Sequence, residues 1–216
     1  MADRSQICEG GAHSDPFRIV HWNRSNSRGV GVVHIEVFSI AILQGGFHKR
    51  LVEGKPFFSS RMLAWLSWKR HFMRFDRRWK HGFRTFRQLE REENFSFVRG
   101  NVLFIGINKV GGLVHDAAEW KRRLRDNGQW VTDQFSQHRG TTRAAVIFAQ
   151  ATATGNTPVF VTALRKAAGE YKHPVLYLHA DGHKWYVKKK DWAPNITHVQ
   201  LDGVNESFPP VQIRVT

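Results

Sequence analysis

The stretch "HPVLYLHADGHKWYV", residues 173–187, places three residues able to bind a metal ion or move a proton directly behind an apolar run. His179, Asp181 and His183 supply two imidazoles and a carboxylate, with Gly182 giving the backbone room to turn among them. Neutral imidazole and carboxylate are common ligands of divalent first-row metals, and strand ends are where ligand loops sit in α/β sheets. The plainer reading of the same residues is a solvated polar loop, which spacing alone favours. Cys8 is the single cysteine, which excludes an intrachain disulfide and a cysteine-rich zinc site, so a metal here needs His and carboxylate ligands.

Positioning such a loop requires a sheet, and the second half of the chain reads as one. "NFSFV", the turn-forming "RGN" and "VLFIGIN" form two strands at hairpin distance, the second apolar on both sides and so expected at the centre. A helix is expected from about Asp116, with Ala117, Trp120, Leu124, Val131 and Phe135 near one stripe and Gly128 as a point of bending. "AAVIFAQ" reads as a buried strand ending at Gln150. Thr157 as N-cap and Pro158 at the first helical position open a further helix up to Gly169, before the strand "PVLYLH". Strand, helix, strand at this spacing is a crossover unit with a parallel pair, and it brings Gln150 and the His179–His183 loop to the same edge. "THVQLDG" and "PPVQIRV" are expected to close that sheet's edge, and Pro209 and Pro210 limit further pairing.

The first 60 residues break often at glycine and show no sustained periodicity, so 1–60 is read as an irregular segment and 61–216 as the folded unit. Trp65, Trp68, Phe72, Phe75 and Trp79 recur at alternating steps of three and four, which predicts one helix over 61–80 with an aromatic face docked on the core. Ten Lys or Arg against Asp76 and Glu90 in 61–91 keep its other face cationic. Over the whole chain the net charge is +15, which favours polyanions, including nucleic acid, as partners. "VGVVHIEVFSIAIL" is shorter than the roughly 18 apolar residues of a membrane span. The N-terminal residues lack the apolar core of a secretory signal, so a cytoplasmic protein is the default expectation.

The order of "ENFSFVRGNVLFIGINKVGG", "EWKRRLRDNGQWV", "AAVIFAQA", "PVLYLHADGHKW" and "VQLDGVNESFPPVQIRV" resembles the carboxyl-terminal half of a calcineurin-like metallophosphoesterase domain, over residues 65–216. The resemblance implies a partial metallophosphoesterase-like α/β fold, a mixed β-sheet covered by helices, and metal-dependent hydrolysis of phosphate esters. It also implies a divalent ion of the manganese, iron or zinc class and a phosphate-containing substrate. By resemblance His183 is the terminal metal ligand, Asp181 stands where a His is usual, and His179 is a ligand or the partner of one. Gln150 occupies the place of another His ligand. The family's D-x-H, G-D and G-N-H motifs do not occur in residues 1–110. The resemblance therefore implies a truncated or catalytically degenerate member, with no catalytic residue assigned, and a basic polyanion-binding protein is the alternative.

Overall fold

The computed structural model describes residues 17–21, 57–78, 80–111, 114, 116–153, 157–182, 184–201 and 211–215. His183 lies outside the described residues, as do Trp79 and the paired prolines. The α/β expectation holds: a seven-stranded mixed sheet carries two long helices.

Its centre is built from the apolar runs. β3 (Phe95–Arg99) and β4 (Val102–Gly106) form an antiparallel hairpin whose two-residue turn, Gly100 and Asn101, has φ of 57° and 61°. Both values are the left-handed geometry that a tight hairpin with right-handed strand twist demands. β4 then pairs in parallel with β5 (Ala144–Phe148), β5 with β6 (Val175–His179), and β6 with β8 (Ile196–Gln200). Every residue of these four strands is buried. A two-residue β2 (Phe86–Arg87) and the exposed, lysine-bearing β7 (Tyr186–Lys189) form the edges, giving the order β2-β3-β4-β5-β6-β8-β7.

Strands apolar on both sides need cover on both faces, and the two faces are covered differently. Helices α2 (Ala117–His138) and α3 (Pro158–Tyr171) share one face, where Leu124, Val131, Phe135, Phe160 and Leu164 pack on Leu103, Ile105, Ile147 and Tyr177. On the other face, Val102, Phe104, Val146, Leu176 and Leu178 meet Phe17 and Ile213 from a separate two-stranded ribbon, β1 (Phe17–His21) with β9 (Val211–Val215). One expectation is corrected here: the strand at 211–215 does not close the large sheet but pairs with β1. Most of 1–60, read as an irregular segment, lies outside the described residues.

The helices also differ in detail from their sequence signals. Asp116 caps α2, its carboxylate accepting from the Ala118 and Glu119 amides at 3.0 and 2.9 Å. Gly128 leaves α2 unbroken; a Cβ there would stand 2.8 Å from Ala163, so glycine lets α2 and α3 approach. Thr157 precedes Pro158 but its hydroxyl serves the Ala153 carbonyl and not the helix amides. α3 runs past Gly169 and ends where Lys172 turns left-handed at φ 63°.

The aromatic helix is shorter than its spacing predicts. α1 (Phe57–Phe72) stops, Arg74 adopts a φ of 55°, and a 3-10 turn follows at Phe75–Arg78, so the helix carrying Trp65, Trp68 and Phe72 ends short of the predicted 61–80 span. Trp65 is 38% exposed, while Trp68 and Phe72 are half-buried and belong to neither core cluster. The predicted helical span is therefore corrected, a left-handed residue ending the helix before Phe75, and of the ring face Trp65 is exposed while Trp68 and Phe72 are half-buried.

Candidate functional site

The parallel strands all end on one side, and the residues that follow them are laced together by backbone hydrogen bonds. The Gln150 and Ala151 amides both donate to the Lys109 carbonyl, at 3.1 and 3.0 Å, and the Ala180 amide donates to the Gln150 carbonyl at 3.1 Å. The segments after β4, β5 and β6 are thereby set side by side at one edge of the sheet, where Gln150, Asp181 and the Gly111 amide meet.

Gln150 is the hub of this strand-end site. Its Oε1 accepts from the Gly111 amide at 2.6 Å and its Nε2 donates to Asp181 Oδ1 at 2.7 Å. At Gly111 a Cβ would collide with the Asp181 carboxylate, which would have to move. Lys109 is 3% exposed, with its ammonium 5.4 Å from the Trp120 ring centroid. Burial brings its pKa down to about 8, aided by Arg123 and opposed by the attraction of Asp181. Lys109 was not among the residues singled out by sequence; its signal was a lone lysine in "GINKVGG", directly behind a fully apolar strand.

Of the sequence-predicted ligands, Gln150 and Asp181 are brought together and His179 is not. Strand alternation puts His179 with Tyr177 on the helix-bearing face, where it is 1% exposed. Its Nε2 lies 2.7 Å from His198 Nε2 and 3.2 Å from Tyr186 Oη. His198 in turn holds Asp191 Oδ2 at 2.8 Å through Nδ1, and Tyr186 also shares a hydrogen bond with Thr152. Burial, then His198 and Lys109, depress the His179 pKa to about 3; burial lowers that of His198 against the pull of Asp191. Both rings are therefore neutral at pH 7. This second cluster escaped sequence reading because the partnership depends on register: Tyr177 pairs with His198 across β6 and β8, which puts the two histidines on one face.

Among the described residues, Gln150, Asp181 and His179 are not arranged as ligands of a two-ion phosphoesterase centre. Both ends of the Gln150 amide are already engaged, Asp181 accepts from it, and His179 turns into the other cluster. Among the described residues no group of three or more His, Cys, Asp or Glu side chains is arranged to hold a metal ion. No helix among the described residues is long and apolar enough to cross a membrane. Comparison with known proteins finds no match: no family model fits the chain, and no curated protein or solved structure is significantly similar to it.

Proposed function

We propose that this chain is a catalytically degenerate metallophosphoesterase-like protein that acts by binding a phosphate-bearing ligand and not by hydrolysing it. The observation that carries this reading is the Gln150–Asp181 hydrogen bond at the carboxyl ends of adjacent parallel strands, beside the buried Lys109. That edge is where ligands bind in sheets of this kind. A neutral amide stands where the resemblance calls for an imidazole, and a lysine ammonium supplies positive charge next to Asp181 in place of a metal ion. Such a site has the Lys109 cation to attract an anionic oxygen, but its described residues supply neither a nucleophile nor the ligand set of a two-ion centre. Calorimetry with Mn²⁺ tests it: the parent binds weakly, and Gln150→His binds more tightly because it frees Asp181 and adds a ligand. Equal affinity for the parent, Gln150→His and Asp181→Asn removes the site from consideration.

A second reading, nucleic-acid binding, gains from one observation on α1. The Trp65 and Trp68 rings stack at 5.0 Å and 7°, and the Lys69 ammonium lies 5.6 Å from the exposed Trp65 ring. Ring and charge are therefore adjacent, as a base-stacking platform requires. Binding of a single-stranded oligonucleotide that persists at high salt and falls on Trp65→Ala supports it; binding lost at moderate salt and indifferent to Trp65 is charge alone.

A further inference from the structure

Away from the strand-end site, the helix-side face of β6, β7 and β8 carries a second convergence of donor atoms. His179 Nε2 and His198 Nε2 are 2.7 Å apart, and Tyr186 Oη is 3.2 Å from each. The 2.8 Å contact of His198 Nδ1 with the Asp191 carboxylate places the proton of that ring on Nδ1, so its Nε2 keeps a lone pair aimed at the other two atoms. His179 has one proton to place. On Nε2 it bridges to His198 and leaves a bare Nδ1, which is buried and has no hydrogen-bond partner. On Nδ1 it leaves three lone-pair atoms converging on one point, which is the ligand form of a metal site.

We propose that His179, His198 and Tyr186 form a binding site for a single transition-metal ion of the zinc or cobalt class, with Asp191 orienting His198 from behind. A carboxylate on the far nitrogen of a ligating imidazole is the common way of fixing its tautomer and angle. Tetrahedral bonds of 2.0–2.1 Å require donor atoms about 3.3 Å apart. The two 3.2 Å separations to Tyr186 meet that already, and the imidazole pair must part by about 0.6 Å. The His198 ring is held for the purpose by Trp192, at a centroid distance of 4.3 Å, and by the edge of Tyr177 at 5.7 Å. His179 and His198 are 1% and 0% exposed while Tyr186 is half-buried, so the ion enters past the tyrosine. Asp191 offsets part of a dipositive charge, and Lys109 and Lys188, which act on the two imidazoles, oppose it.

The site shares no side chain with the strand-end site of Gln150, Asp181 and Lys109, so the two proposals fail separately. The test is titration of the metal-stripped full chain with Co²⁺, read by visible absorption and by calorimetry. The expected result is one ion with the intense visible bands of tetrahedral cobalt, bound about 10–100-fold more weakly by Asp191→Asn and at least about 10-fold more weakly by Tyr186→Phe. Tyr186→Phe keeps the ring and its packing, so it carries the test even where His198→Ala fails to fold. Asp181→Asn leaves the cobalt spectrum unchanged. Absence of bound cobalt, or a spectrum and affinity indifferent to both Tyr186→Phe and Asp191→Asn, overturns the proposal, as does loss of the spectrum on Asp181→Asn.

Discussion

Two polar clusters lie within a few residues of one another along β6, and they are built on opposite terms. Beyond the strand, Gln150, Asp181 and the Gly111 amide satisfy one another with Asp181 exposed to water and Gln150 buried behind it. Inside the sheet, His179, His198, Tyr186 and Asp191 meet largely out of water, with the two imidazoles wholly enclosed. The same "HADGH" segment feeds both: His179 is the last residue of β6 and shares the helix-bearing face with Tyr177, whereas Asp181 lies in the turn that follows, at φ 21°. Residue types that look like one site in sequence are thus divided by where the strand ends. Energy divides with them: an enclosed polar group costs a great deal when its partner is removed, whereas an exposed one is rescued by solvent.

The largest expected effect of that difference is His198→Ala. It opens a cavity against Trp192 and leaves His179 and Asp191 without their common partner, at an expected cost of about 3–5 kcal/mol in urea denaturation. A cost below about 1 kcal/mol would show that the buried cluster is not an energetic unit.

Next comes a pH response from the strand-end site. Lys109 has a folded pKa of about 8 against an unfolded value near 10.5, so the folded state gives up its proton first. Between those values the unfolded chain holds more protons and stability rises with pH, by at most ~1.4 kcal/mol per pH unit. The gain is complete above 10.5 and lost as pH falls through 8. Denaturation midpoints between pH 8 and 10 should climb for the parent relative to Lys109→Met; parallel profiles would place the ammonium in solvent.

The smallest effect belongs to Gln150→Ala. It deprives Gly111 and Asp181 of partners at a site that water can reach from the Asp181 side, for an expected loss of about 1–2 kcal/mol. A loss as large as that of His198→Ala would erase the contrast between the clusters.

Much of the architecture was legible because it is written locally. "VLFIG", "AAVIF" and "VLYLH" are continuous apolar runs, and burial on both faces is what such runs demand. The "RGN" turn and the helix start near Asp116 are short-range signals, and both reappear in the fold. The β1–β9 ribbon was illegible for the opposite reason: Phe17 pairs with Val215 across almost the whole chain, and no local pattern reports such a partner. The ring spacing of 65–79 misled on helix length because a stripe does not show where a residue such as Arg74 turns left-handed. At the site, Gln150 and Asp181 were legible as strand-end residues. Lys109 carried the same strand-end signal without being singled out, whereas His198 needed the register of neighbouring strands.

The central claim, a phosphoesterase-like site without turnover, is tested most directly by the initial rate of bis(p-nitrophenyl) phosphate hydrolysis across a Mn²⁺ titration, for the parent and for Asp181→Asn. The account predicts that the two proteins are indistinguishable at every metal concentration, because the site cannot assemble a two-ion centre. Turnover that saturates with Mn²⁺ in the parent and vanishes in Asp181→Asn would contradict it.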